Sequence, residues 1–231
     1  MRPACPEDAV MTASIFTRPV TAITDVVDTL TRDMALARIG SQRYREPTPF
    51  PCHKRTSFKD EVLAGQLYLA LRAHLPLSRG GHEVQMIGDS FRLYEYPTGG
   101  ACPSHKDARR IISSPHNPGV RLRSELSILL YLTAPQEGGE TMIVVPALHP
   151  FNPSCVEMVL GWPPVPLSVL AFDQDLEHSA EASIVWAEAI MQRKDMKRVL
   201  RTEAYYPVDV VVPSSHAPGP LPSRCITRVG L

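Results

Sequence analysis

This 231-residue chain carries no excess charge of either sign: Lys+Arg and Asp+Glu both number 24. A partner held mainly by charge, such as nucleic acid or an anionic membrane surface, is therefore not expected. No apolar run approaches the roughly 20 residues that span a bilayer. The opening stretch, "MRPACPEDAVMTAS", lacks the apolar core of a secretory signal. There is no C-x-x-C pair and no internal repeat. The five cysteines (Cys5, Cys52, Cys102, Cys155, Cys225) are scattered and odd in number, which suits a reducing compartment better than a disulfide framework, so a cytoplasmic location is expected.

What is present is ordinary globular material. Hydrophobic residues make up 44% and charged residues 21%, and the length suits one large domain or two small ones. The 23 prolines are about twice the usual ~5% share. They crowd 47–51, 146–166 and 207–222, which should be loops or extended chain. Residues 1–18 are expected to be poorly ordered. From Pro19 to about Ile39 the spacing of Val20, Ile23, Val27, Leu30, Met34 and Ala37 predicts a helix closed by Gly40. Ser57 and Asp60 form a capping-box pattern, so a second helix is expected over about 57–74, burying Phe58, Val62, Leu69 and Leu71 and stopped by Pro76. After residue 84 short segments rich in Val, Ile, Leu and Tyr alternate with Gly/Pro turns, at 91–96, 124–133, 140–145, 167–173 and 197–206. Helices first and strands after predict an α+β chain whose β part is a sandwich or barrel.

One short stretch suggests chemistry. "SHKD" places His105 and Asp107 two apart after a strand-like run. On an extended strand such residues point the same way and would offer a metal one nitrogen and one oxygen. His178, in "VLAFDQDLEHS", is the best candidate for a third donor. Two histidines and a carboxylate on one face of a metal leave three positions open, a set suited to non-haem Fe(II) and oxygen chemistry. By itself H-x-D also fits a solvated loop with a charged tip. The remaining histidines (His53, His74, His82, His116, His149, His216) have no comparable setting.

The ordered series "FRLYEYPTGGACPSHKD", "SELSILLYLTAPQEGGETMIVVP", "VLAFDQDLEHS" and "KRVLRTEAYYP" resembles the prolyl 4-hydroxylase-like branch of the 2-oxoglutarate/Fe(II)-dependent dioxygenases, over about residues 57–206. The resemblance implies a double-stranded β-helix, or jelly roll, flanked by N-terminal helices. It gives a single domain over 19–206 (helical part 19–76, jelly-roll part 84–206) and a Pro-rich tail over 207–231. It implies Fe(II) on His105, Asp107 and His178. Lys197 would bind the far carboxylate of 2-oxoglutarate, with Tyr131 near that carboxylate and Tyr96 facing the co-substrate. The activity implied is hydroxylation of an unactivated C–H bond in a protein prolyl residue or a small molecule. It consumes O2 and yields succinate and CO2, with ascorbate as a candidate reductant. Asp107 favours hydroxylation, since halogenation would want Ala or Gly there. The rival reading is a non-catalytic jelly-roll binding or sensor module.

Strand alternation puts Ser127, Leu129 and Tyr131 on one side, towards a cavity. Leu126, Ile128, Leu130 and Leu132 fall on the other, towards the helices. "EGGET" (137–141) reads as a turn with glycines for positive φ. Lys197 lies 19 positions after His178 (197 − 178 = 19), wider than the usual family spacing. The extra segment Ile184–Met196 has helical spacing and is expected to be a short helix outside the barrel. Its Arg193 and Lys194 are rival cations. The loop 109–123 holds Arg109, Arg110, Arg121 and Arg123, either as a solvated basic loop or as a collar that meets an anionic substrate.

Overall fold

The computed structural model describes residues 11–12, 20–24, 54–78, 80–149, 152–184 and 197–208. In chain order the elements are β1 (Met11–Thr12), β2 (Val20–Ile23), β3 (Lys54–Lys59), α1 (Glu61–Leu71), β4 (Met86–Ile87), β5 (Ser90–Tyr96), β6 (Cys102–His105), β7 (Ile111–Ser113) and β8 (Arg121–Thr133). Then follow β9 (Glu137–Gly138), β10 (Thr141–His149), β11 (Asn152–Trp162), β12 (Val169–Asp173), β13 (Glu177–Ala180), β14 (Ser183–Ile184) and β15 (Lys197–Pro207). The chain is mostly antiparallel sheet with one helix among the described residues.

The larger sheet runs β1-β2-β12-β8-β15-β5-β3, with β4 on β15 and β7 on β8; the smaller runs β11-β10-β13-β6. The two sheets share an apolar interior. Tyr131, Leu170, Phe172 and Val199 of the large sheet meet Ile143, Val145 and Leu176 of the small-sheet side. The opposite face of the large sheet carries a second core, in which Leu126, Ile128, Leu130 and Leu132 pack with Leu63, Leu67 and Leu71 of α1. The expected division of β8 into a leucine/isoleucine side under the helix and a Leu129/Tyr131 side facing inward is found. It follows from strict period-2 alternation along a strand buried on both faces.

The N-terminal half departs from expectation. Val20–Ile23 is strand rather than the start of a helix, paired with β12 from Val169↔Ile23 to Phe172↔Val20. Its β-branched residues suit a pleated surface, and the pairing extends the large sheet past β12. The rest of the expected 19–39 helix lies outside the described residues. The expected 57–74 helix is shorter and begins later. Ser57 sits within β3, opposite Arg92 of β5, and Asp60 is itself the N-cap, its carboxylate accepting from the Leu63 N–H at 3.0 Å. With the start shifted, the buried face also shifts. Leu63, Ala64, Leu67 and Leu71 are inside, while Val62 and Leu69 are 58% and 66% exposed. Phe58 is buried, but from β3, stacked 5.4 Å from Phe91.

The five expected strands are all present; four run past one expected end, while 167–173 is shortened to Val169–Asp173. The Pro-rich stretch after 146 forms the far part of a long β10–β11 hairpin, registered from Thr141↔Trp162 to His149↔Asn152. Met11–Thr12, in the stretch expected to be poorly ordered, pairs with β2. Ile184 ends β14, which pairs with β9; the remainder of the expected inserted helix, with Arg193 and Lys194, lies outside the described residues, as does the tail beyond 208. No helix among the described residues is long and apolar enough to cross a membrane.

Candidate active site

β6 and β13 are neighbours in the small sheet, and their pairing sets His178 directly opposite His105. The two imidazoles lie 4.3 Å apart between ring centroids. Each ring is oriented by its own strand. His105 Nδ1 is 2.9 Å from the Pro103 carbonyl, and His178 Nδ1 is 3.1 Å from the Leu176 carbonyl. A carbonyl can only accept, so both Nδ1 atoms carry the proton and both Nε2 atoms are left with a free lone pair.

Asp107 completes the cluster by a different route. It lies beyond the end of β6, so strand alternation does not aim it. Its N–H donates to the Gln174 carbonyl at 3.1 Å, and its side chain crosses to the large sheet. There the Ser127 hydroxyl donates to Oδ2 and the Arg201 guanidinium approaches Oδ1 at 2.8 Å. Asp107 Oδ2 is 3.5 Å from His178 Nε2, and Oδ1 is 3.8 Å from His105 Nε2. One donor atom from each of His105, Asp107 and His178 lies within 4.8 Å of the others. Burial lowers the basicity of His178, with the Asp107 carboxylate opposing that effect, and Phe172 packs 4.7 Å from its ring. Two imidazole nitrogens and a carboxylate with both oxygens held are a fitting donor set for a divalent ion of intermediate hardness.

The cluster opens on a cavity of about 280 Å³, lined in part by Tyr94, Tyr96, Leu129, Thr141, Lys197 and Val199. Lys197, first residue of β15, is 1% exposed. Its ammonium donates to the Gly139 carbonyl at 2.6 Å and lies 4.8 Å above the Tyr96 ring and 5.9 Å from the Tyr131 ring. Burial pulls its pKa down to about 8, against the pull of Cys102 and Glu140. The carbonyl is presented by the turn over 137–141, where Gly138 and Gly139 have φ of 69° and 75°, a conformation that favours glycine. Tyr96 lines the cavity as expected. Tyr131 is a partial correction. It is buried behind the wall, not in the lining, and its hydroxyl donates to Thr141 Oγ1 at 2.8 Å. Burial raises its pKa, so it remains a neutral donor. Thr141, at the start of β10, lines the cavity.

Sequence reasoning gave no site role to Thr141 or Arg201, and it placed Ser127 on the cavity side without assigning it a partner. The signal for Arg201 was available: Lys197, Val199 and Arg201 are i, i+2 and i+4 on one strand and share a face. Arg201 is buried; burial alone would lower its pKa, but Asp107, Tyr94 and Glu203 hold it above the ordinary value. The arginines of 109–123 separate. Arg109 is bound by Asp175 at 2.8 Å and Asp173 at 3.0 Å, and Arg123 by Glu125; both are structural ion pairs. Arg110 alone of the four reaches towards the pocket side of the sheet, 3.9 Å from Glu203.

Compared as sequence, the chain matches no protein family and no curated protein. Compared as structure, it is similar to an oxidoreductase of the 2OG-Fe(II) oxygenase family from Burkholderia pseudomallei, at 12% identity and a TM-score of 0.50, over 81% of this chain and 84% of that one. It is similar to HygX from Streptomyces hygroscopicus, solved with nickel, 2-oxoglutarate and hygromycin B bound, at 10% identity and a TM-score of 0.54, over 82% and 83%. A prolyl hydroxylase from Trichoplax adhaerens, solved with a hypoxia inducible factor peptide fragment, matches at 13% identity and a TM-score of 0.50, over 80% and 83%. The chain has the fold of these oxygenases.

Proposed function

We propose that this chain is an Fe(II)- and 2-oxoglutarate-dependent dioxygenase built on a double-stranded β-helix, hydroxylating an unactivated C–H bond. The observation that carries this is the pairing of two unlike features in one cavity: a His105/Asp107/His178 cluster with both Nε2 lone pairs free, and a buried lysine without a carboxylate partner among the described residues. A buried ammonium is costly unless something anionic meets it. A dicarboxylate that chelates a metal at one end and a cation at the other accounts for both.

His105, Asp107 and His178 would hold the metal, and Lys197 the far carboxylate of 2-oxoglutarate. When bound, iron and 2-oxoglutarate supply oxygen activation coupled to decarboxylation, giving succinate and CO2. The chain's own residues do the rest. The Pro103 and Leu176 carbonyls keep the protons on Nδ1, so Nε2 stays available. Ser127 and Arg201 hold the Asp107 carboxylate in one orientation. Tyr131 donates to Thr141 Oγ1, which leaves the Thr141 hydroxyl proton free to be donated elsewhere. Leu129 and Val199 supply apolar wall that keeps water from the reacting carbon. The carboxylate at 107 leaves no place for a halide, so hydroxyl transfer is the outcome expected.

The same fold carries hygromycin B in HygX and a peptide fragment in the Trichoplax enzyme, so either a small molecule or a protein residue suits it as substrate. Anaerobic addition of Fe(II) and 2-oxoglutarate should give a weak visible charge-transfer band. With air and ascorbate as reductant, slow succinate release should follow. A protein that binds neither and forms no succinate is not this enzyme.

A further inference from the structure

Beside the metal pocket lies a second cleft of about 370 Å³, lined by Arg55, Ser57, Phe58, Lys59, Ser90, Phe91, Arg92 and Arg110. Four of these are cations and none is a carboxylate. Arg55 and Arg92 line both cavities, so the two are continuous through these side chains.

The arrangement follows from sheet register. On β5, Arg92 shares a face with Tyr94 and Tyr96. Directly across one strand boundary it faces Arg201 of β15, and across the other Ser57 of β3. Two arginines directly opposite each other repel. What offsets them is slight. Glu203 lies 3.8 Å from Arg92 Nη1, 3.8 Å from Arg201 Nη2 and 3.9 Å from Arg110 Nε. One carboxylate thus serves three guanidiniums, and none of these contacts is a hydrogen bond. Its Oε2 instead accepts the Tyr205 hydroxyl at 2.9 Å. Arg201 has Asp107 besides; among the described residues the Arg92 and Arg110 guanidiniums have Glu203 alone. Lys59, at the outer rim, has Asp89 at 4.0 Å. The cleft is a group of guanidiniums short of counter-charge, on a sheet whose opposite face buries the Phe58 and Phe91 rings.

We propose that this cleft binds the anionic end of the substrate, a small molecule carrying a phosphate group, while its reacting carbon lies in the metal pocket. This rests on the oxygenase reading above. Guanidiniums meet phosphate oxygens in pairs, and Arg92 and Arg110 against the single Glu203 leave one net positive charge (2 − 1 = 1) for a phosphate of about −1.5 to −2 to meet. Arg92 is one strand from Arg201, which touches Asp107. An anion there lies on the order of 5–10 Å from the metal donors, by the ~4.8 Å spacing of strands, within the span of one small molecule. A polymeric nucleic acid is disfavoured: the basic surface is a bounded cleft in a chain of zero net charge, where a phosphate backbone would want a stripe.

The test uses whole protein loaded with Ni(II) and 2-oxoglutarate, titrated calorimetrically with phenyl phosphate and, in parallel, phenol. The expected result is saturable binding of phenyl phosphate and none of phenol. Arg92→Gln combined with Arg110→Gln should weaken it at least tenfold, and Arg121→Gln, on an exposed position of β8, should leave it unchanged. Binding that is absent, or equal in the double variant, overturns the proposal. So does a loss of 2-oxoglutarate affinity by the same factor in the double variant, which would assign these arginines to the co-substrate. If 2-oxoglutarate fails to load on wild type while phenyl phosphate still binds through Arg92 and Arg110, the cleft is an anion site but the oxygenase reading falls.

Discussion

Lys197→Met separates the co-substrate's requirement for a cation from the fold's requirement for volume. Methionine keeps the length and the packing against Tyr96 and Tyr131 but removes the ammonium. In wild type the group is buried, and its pKa is depressed to about 8, so at pH 7 it is ~90% protonated by ordinary titration from that value. A charge-assisted hydrogen bond contributes roughly 1.5–3 kcal/mol, about 10- to 150-fold in the dissociation constant of 2-oxoglutarate. The pH dependence gives a second handle. Binding requires the protonated lysine, so affinity should be flat below about pH 7 and fall as pH rises through 8, by about tenfold per unit above that. Stability without ligand runs the other way. Between pH 8 and the unfolded value of ~10.4 the unfolded chain holds a proton that the folded chain does not, so the apo fold gains stability with pH. Anaerobic titration of the charge-transfer band measures the first, and chemical denaturation at several pH values the second. Lys197→Met should bind 2-oxoglutarate weakly at every pH and lose both slopes. A variant within threefold of wild type, or one that keeps the pH dependence, would refute the assignment of Lys197 to the far carboxylate.

His105→Ala and His178→Ala should each abolish succinate formation, including the slow reaction without substrate, because both remove a metal donor; wild-type succinate release by either rules out the metal centre. Arg201→Met should weaken divalent-metal affinity by about 10- to 100-fold, the range for losing a group that orients a ligand. Competition with a chromophoric chelator reads this out, and unchanged affinity would mean Asp107 is held without it. Asp60→Ala removes the cap of α1 and should cost about 0.5–2 kcal/mol in urea unfolding; no change would mean the Leu63 N–H finds another acceptor.

Strand positions were legible because segments rich in Val, Ile, Leu and Tyr, such as "SILLYL", are set off by Gly/Pro turns. The H-x-D stretch and His178 were legible as donors by residue type, but the means of holding them was not. His105 and His178 are set by strand pairing, while Asp107 is held by Ser127 and Arg201, which lie 20 and 94 residues along the chain (127 − 107, 201 − 107). The early helix was misread for a local reason. Val20, Thr21, Ala22 and Ile23 fit both a helical stripe and a strand, and the choice rests on Val169–Phe172, far away in sequence, offering an edge to pair with. Ser57 was misread as a cap because a serine three before an acid also occurs in a strand that leads into an Asp N-cap.

The histidines belong to the small sheet and the third donor is anchored to the large one, and this bears on the order of events in time. A partly folded chain carries His105 and Asp107 as near neighbours, a weak chelate open to any passing ion. His178 arrives only once β13 has docked between β10 and β6, and Asp107 gains its final aim only once β8 and β15 have paired and brought Ser127 and Arg201 together. Contacts so distant along the chain close slowly. Tight metal capture would therefore come late in folding, and its free energy would add to the stability of the completed fold. The same arrangement makes bound metal a tie between two sheets that share no strand.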